Sequence, residues 1–239
     1  MRRIVAIGGG GFMMEEPRSP IDDFLLALTG KRMPRMCFVP TASGDSEQKI
    51  DAFYAAFGAR DCVPSHLAFF RKPDARALPL ASFADALLQQ DVIFCGGGNT
   101  KSALAVWRDW GADRAFLQAL DAGAVLAGMS AGAIGWFERG LTDSWGDGDL
   151  VPIGGLGFLA GGCAPHYDGE ANRRPGLHRE VAAGRMPASI AIDDGAAVVY
   201  AEGEIERVVR WHAGRTAYRV VASANGVDEV ALDAEALPS

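Results

Sequence analysis

The segment with the clearest chemical content is AVLAGMSAGAIGWFE, residues 124–138. One hydroxyl, Ser130, stands there among the small residues Gly128, Ala131, Gly132 and Ala133. Gly128-Met129-Ser130-Ala131-Gly132 spells G-x-S-x-G, the nucleophile elbow, in which serine occupies a strained strand-to-helix turn with its oxygen exposed. A serine hydroxyl is a weak nucleophile alone. It needs an adjacent base, most often histidine, oriented in turn by a carboxylate. The bland alternative is a serine that only caps the following helix. A predicted strand before Ser130 and a predicted helix after it favour the elbow.

Four histidines could supply the base. His66, followed by Leu67, Ala68 and two phenylalanines, reads as structural, and His178, beside Arg179 and Glu180 on a predicted helix, reads as solvated. His212 follows Trp211 near the end of a late strand. His166, in GGCAPHYDGE, stands where an apolar segment opens into a polar loop, the setting in which rigid scaffolds present catalytic groups. The candidate carboxylates are Asp143, Asp147, Asp149, Asp168, Asp193 and Asp194. Most lie in polar loops, where aspartate commonly makes turns. Asp193 and Asp194 instead interrupt the apolar run AIDDGAAVV, where a buried carboxylate needs a partner, although Asp194-Gly195 also suits a hairpin turn.

The elements that must position these groups follow a regular alternation. Strands are predicted over 2–8, 35–40, 61–67, 91–95 and 124–129. Helices are predicted over 19–30 (Ser19 as N-cap, Pro20 first), 45–58, 82–90 and 99–111, the last capped by Asn99 or Thr100. Strands separated by helices of this length indicate an α/β fold, a mostly parallel sheet with helices on both faces. Such sheets gather ligands at the carboxyl ends of their strands, where the glycine clusters 8–11, 96–98 and 128–132 fall. Beyond about residue 140 the chain turns rich in glycine and aspartate and reads as loops around short strands. A helix is predicted over 173–184, then two or three strands over 189–211 joined at Glu202-Gly203, with another in GRTAYRVV. There is no repeat or linker, so residues 1–239 read as one domain with a β-rich C-terminal part.

Composition narrows the partners. A net charge of −7 and the absence of a basic, aromatic-laced run argue against nucleic acid. No run approaches the ~18 apolar residues of a membrane helix, and the apolar segment of MRRIVAIGGGGF is too short for a secretory signal. Cys37, Cys62, Cys95 and Cys163 show no metal-like spacing, so a reduced cytoplasmic protein without metal or other cofactor is expected. A homo-oligomer is compatible with the sequence.

Several motifs together resemble one family. CGGGNT (95–100), AGMSAGAIGWFE (127–138), PHYDGE (165–170) and IDDGAAV (192–198), with FVPTAS (38–43), look like the motifs of the S51 serine peptidases, in the family's order. That family includes aspartyl dipeptidase (peptidase E) and cyanophycinase and shares the flavodoxin-like three-layer architecture of class I glutamine amidotransferases. The resemblance implies Ser130 as nucleophile, His166 as base, and an oxyanion hole from the N–H groups of Ala131 and Gly98. The family's third triad member is glutamate; here Asp194 matches it, one methylene shorter, with Asp193 as the substitute. The implied substrate is a small peptide, dipeptides with N-terminal aspartate included, held by Arg179 or by Arg173 and Arg174, with Asp193 available to the amino group. Serine at the elbow argues against amidotransfer, which uses cysteine there.

Two other readings stay open at this level. An α/β-hydrolase esterase would use Ser130 with Asp193 or Asp194 and His212 in that chain order. A non-catalytic binding domain could retain the amidotransferase-like scaffold. The run IVAIGGGGF lacks the G-x-G-x-x-G spacing of a dinucleotide loop.

Overall fold

A computed structural model describes residues 1–15, 18–72, 74–146 and 148–238. Its centre is an eight-stranded sheet. In chain order the strands that build it are β1 (Arg3–Ile7), β2 (Arg35–Val39), β3 (Val63–His66), β4 (Val92–Cys95) and β5 (Val125–Met129). The connecting helices are α1 (Pro20–Ala27), α2 (Glu47–Phe57), α3 (Phe83–Leu87), α4 (Thr100–Trp110) and α5 (Ala112–Asp121). These five strands are parallel, in the order β1-β5-β4-β2-β3. After β5 come α6 (Ala131–Trp136), β6 (Phe137–Thr142), β7 (Val151–Gly154), β8 (Leu159–Ala164), α7 (Arg173–Ala182) and β9 (Ser189–Ile192). The chain ends with β10 (Ala196–Ala201), β11 (Glu204–Arg210), β12 (Ala217–Ser223), β13 (Gly226–Ala231) and β14 (Ala234–Ala236). Strand β10 returns to the central sheet and runs antiparallel to β1, with Arg3 opposite Ala201; β11 and β14 extend that edge.

The β-rich part is a second sheet, ordered β13-β12-β9-β8-β6-β7. The segment that reads as loops around short strands thus carries β6, β7 and β8, paired with one another and with β9. The strand β8, LAGGCA, has no β-branched residue, so it carries little intrinsic signal and is held by its neighbours β6 and β9. Helix α5 has no counterpart in the sequence reading, because Gly111 reads as a stop. It is a stop, but in left-handed conformation (φ 72°) it ends α4 and starts α5 at once. At α1 the helix begins at Pro20 as expected, yet Ser19 does not cap it with its side chain; the hydroxyl is buried with no hydrogen-bond partner among the described residues. At α4 the cap is Asn99, whose Oδ1 accepts from the Ser102 N–H at 2.9 Å.

Two apolar layers hold the site-bearing edge. On one face Phe12 meets Phe38, Phe53, Phe57 and Phe94 at 5.1–5.6 Å between ring centroids. This anchors the chain just after Gly8–Gly11. On the other face the stacked indoles of Trp107 and Trp136 (6.2 Å) fix α6 against α4. Burying such rings stabilises each contact by roughly 1 kcal/mol beyond its area term. The backbone that follows β1, β4 and β5 is therefore rigidly seated.

Candidate active site

Parallel pairing brings the carboxyl ends of β1, β4 and β5 to one edge, and Ser130 sits at the last of them. Its backbone has φ 56° and ψ −114°, a region sparsely populated by residues other than glycine. Its N–H donates to the Ile7 carbonyl at 3.1 Å, which ties the turn to β1. The flanking glycines are required by close approach. A Cβ on Gly128 would collide with the Gly132 carbonyl, and one on Gly132 would collide with the Cys95 carbonyl below it. The G-x-S-x-G spelling is therefore a steric condition for bringing α6 down onto β4 and β5. The result is a nucleophile elbow.

His166 lies beyond β8, with φ 55°, in a turn closed by the Glu170 N–H on its carbonyl (3.1 Å). The next residue is held to the second sheet by Tyr167 N–H donating to the Ile192 carbonyl at 3.1 Å. Asp194 lies in the turn from β9 to β10, beside Gly9, and the Gly195 N–H donates to the Gly9 carbonyl at 2.8 Å. The two side chains meet: His166 Nδ1 is 2.7 Å from Asp194 Oδ1. With the carboxylate as acceptor, Nδ1 carries the proton and Nε2 is left as the base. The contact is largely shielded, the side chains being 14% and 29% exposed. Gly9 makes room for it, since a Cβ there would overlap Asp194 Oδ1 and lie 2.8 Å from the imidazole. Ser130, Ile7, Gly9 and the His166–Asp194 pair are thus linked by successive contacts along one edge. The Ser130 hydroxyl has no hydrogen bond among the described residues, so the link to Nε2 is not made in this state; such bonds often tighten only with substrate.

The chain after β4 runs along the other side of Ser130. A Cβ on Gly97 would stand 3.1 Å from Ser130 Cβ, so this loop runs directly beside the serine. Gly98 has φ 140°, and a Cβ there would collide with the Ala42 carbonyl. The Asn99 N–H donates to that carbonyl at 2.7 Å, and Asn99 Nδ2 donates to the Ser144 carbonyl at 2.9 Å. Ala131 is the first residue of α6, where an N–H has no partner within the helix. These are the two N–H groups the sequence points to.

The other expected residues have different surroundings. Asp193 is 2% exposed and faces away from His166: Oδ2 accepts from the Thr216 N–H (3.1 Å) and the Tyr218 hydroxyl (3.5 Å), while Oδ1 has no hydrogen-bond partner among the described residues. Burial pushes its pKa up. Arg173 is buried and donates to Glu170 and to the Leu141 carbonyl. Arg174 donates to Glu229 Oε1 (2.5 Å) and lies over the rings of Tyr167 and Tyr218. Arg179 donates to Glu180 Oε1 (2.8 Å) and to the Leu150 carbonyl (2.9 Å), with its side chain 57% exposed. Of the remaining histidines, His66 is buried against the Tyr54 hydroxyl, and burial lowers its pKa. His178, expected to be solvated, joins Glu229 (2.7 Å) and the Tyr167 hydroxyl (3.2 Å). His212 Nε2 lies 2.9 Å from Glu15 Oε1 and its ring packs over Gly195; it bonds to neither Asp193 nor Asp194. Asp143 opens a turn closed by the Gly146 N–H, and Asp147 lies outside the described residues.

Sequence reasoning passes over three contributors. Gly9 and Gly169 supply space around Asp194, and Arg215 pairs with Asp168. The HYDG and GGGG spellings signal the two glycines; nothing in GRTAYRVV signals the arginine. Among the described residues no group of three or more His, Cys, Asp or Glu side chains is placed to hold a metal, and no helix is long and apolar enough to cross a membrane. All four cysteines are free and buried.

A serine in a strained turn at the end of a parallel strand, with a histidine–carboxylate pair brought to the same edge by neighbouring turns, is set in an α/β fold. Comparison with known proteins is more specific. The model of peptidase family S51 matches residues 4–208, and the chain belongs to that family. It is 44% identical over 232 residues to the uncharacterized peptidase YgaJ of Bacillus subtilis (strain 168), covering 97% of each chain. A crystal structure of a peptidase from an acI-B1 Actinobacterium superposes with a TM-score of 0.70 at 16% identity, covering 95% of this chain and 93% of the other. A protein of Listeria monocytogenes EGD-e described as a candidate peptidase E superposes with a TM-score of 0.63 at 17% identity, covering 89% of this chain and 100% of that one. At those identities the two structures share the fold.

Proposed function

We propose that the protein is a serine peptidase that hydrolyses small peptides through an acyl-enzyme on Ser130. The observation that carries the reading is the 2.7 Å contact between His166 Nδ1 and Asp194 Oδ1, held beside an elbow serine in a chain of peptidase family S51. Ser130 Oγ attacks the peptide carbonyl while His166 Nε2 takes its proton. The oxygen that becomes negative lies between the N–H groups of Ala131 and Gly98, which are fixed before reaction and need no reorganisation. The imidazolium, stabilised by Asp194, returns the proton to the leaving amine. Water then repeats the sequence on the ester, releasing the acid and restoring Ser130. No step calls for a metal or cofactor.

Dipeptides with N-terminal aspartate are one substrate class this site could take. Of the expected contacts, Arg179 has the most exposed side chain, but it is paired with Glu180, as Arg174 is with Glu229 and Asp193 with the Thr216 N–H. A broader small-peptide range is therefore the reading preferred here. A cytoplasmic site of action fits the four reduced, buried thiols. The test is a panel of dipeptides and tripeptides with varied N-terminal residues, assayed for released amine with wild type and Ser130→Ala. Turnover by wild type that falls by at least ~10³-fold in Ser130→Ala supports the reading. A variant retaining more than a tenth of the activity ends it.

A further inference from the structure

We infer that Asp168 and Arg215 form an outer couple that positions Asp194, and through it the His166 imidazole, for activation of Ser130. The inference rests on the triad reading above and adds two positioning residues to it.

The segment His166–Gly169 touches the triad acid in three ways. The imidazole reaches Asp194 Oδ1 at 2.7 Å. Asp168 Oδ1 accepts the Asp194 main-chain N–H at 2.8 Å. Gly169 leaves the space that Asp194 Oδ2 occupies, since a Cβ there would overlap that oxygen. The base is thus carried on one short loop that folds back onto the β9–β10 turn bearing its acid. A carboxylate held only by its partner histidine keeps its rotamer freedom; one whose backbone is pinned presents its oxygens in a fixed plane.

The charge on Asp168 needs an answer. It faces a turn that already holds Asp193 and Asp194. Arg215, from the β11–β12 connection, supplies that answer by donating from Nη1 to Asp168 Oδ2. Its own N–H donates to the His212 carbonyl at 3.4 Å, which holds the arginine at the turn. The same two charges act on Asp193, whose raised pKa comes first from burial, with Asp168 raising it and Arg215 lowering it. The other titratable groups beside the couple are Asp193 and Asp194 from the β9–β10 turn and His212 from the β11–β12 connection. Glu15 stands opposite His212, and Arg174 lies on α7.

The test uses a fluorophosphonate, which reports the activated serine without a known substrate. Ser130 Oγ bonds to phosphorus, fluoride leaves, and the hydroxyl proton passes to His166. The labelling rate is followed against pH for wild type, Asp168→Asn, Arg215→Met, the double variant and Asp168→Ala. Asp168→Asn keeps an oxygen for the Asp194 N–H and leaves Arg215 uncompensated, so the midpoint of the acid limb moves down by about half a unit. Arg215→Met leaves Asp168 uncompensated and moves it up by about the same amount. The double variant returns to within ~0.2 units of wild type. Asp168→Ala also loses the anchor, and its plateau rate falls by ~10-fold or more. Single variants that shift in the same direction, or none that departs from wild type, overturn the couple. Should Asp168→Asn fail to fold by circular dichroism, the direction of the Arg215→Met shift decides. His166→Ala labelling at the wild-type rate would instead overturn the triad reading, a distinct result.

Discussion

Replacing Ser130 by glycine and, separately, by alanine tests whether the elbow stores backbone strain. Ser130 has φ 56° and ψ −114°, a conformation open to glycine and poor for any residue with a Cβ. A residue held in so sparse a region costs about 1–3 kcal/mol. Alanine keeps the strain, whereas glycine removes it and gives back about 0.5–1 kcal/mol through the freer unfolded chain. Glycine should therefore be more stable than alanine by ~1 kcal/mol net. That preference is notable at a position entering a helix, where flexibility ordinarily earns nothing. For a chain of 239 residues, 1 kcal/mol corresponds to ~2–4 °C in melting temperature. The assay is thermal unfolding by circular dichroism at one pH, with fluorophosphonate labelling run beside it. Both variants should fail to label, and glycine should melt above alanine. An alanine variant that melts as high as glycine, or higher, would refute the strain argument even with activity lost in both.

Three further outcomes follow from contacts already described. Asp194→Asn should lower turnover by ~10³–10⁴-fold, because the amide keeps the shape but neither accepts nor stabilises as a carboxylate does; Asp193→Asn should act on thermal stability first, and steady-state kinetics with unfolding curves on both variants would separate the roles. Gly132→Ala should give little folded protein, since the added methyl meets the Cys95 backbone, and a soluble variant with wild-type melting would contradict the packing. Asp22 is buried with its pKa raised to about 7, first by burial, against 3.8 unperturbed. The folded state therefore holds the proton more tightly, so this group's contribution to stability is full below about pH 4 and falls as pH rises to about 7. Asp22→Asn should gain on wild type over that window by at most ~4 kcal/mol, and melting curves at pH 5 and 8 showing a constant difference would refute it.

How much is legible in the sequence depends on how local the determinant is. Ser130 and its glycines can be read because the elbow is fixed by five consecutive residues. His166 and Asp194 stand in short motifs of their own, and their meeting is implied by family resemblance. Nothing in the sequence marks Arg215, because an ion pair between positions 168 and 215 has no period and no motif. The parallel sheet is clear because helix and strand patterns alternate. Strands β6 to β8 are obscured because glycine-rich stretches gain their pairing from neighbours, and α5 is hidden behind the single turn at Gly111. The choice between Asp193 and Asp194 rests on alternation along an extended chain, and the two side chains do point to different surroundings.

Strand order has a consequence for the newly made chain. The first strand of the protein, β1, is flanked by β5 and by β10, whose pairing sets Arg3 against Ala201. The groove that receives the His166–Asp194 pair is lined by Gly9, yet Asp194 reaches it only when β10 zips onto β1. A ribosome-bound polypeptide that has emerged only through α7 therefore carries Ser130 and His166 without Asp194. Such long-range closure is a late event in folding, since separated segments must meet before their contacts reward them. The His166–Asp194 contact therefore forms only after β10 has been synthesised.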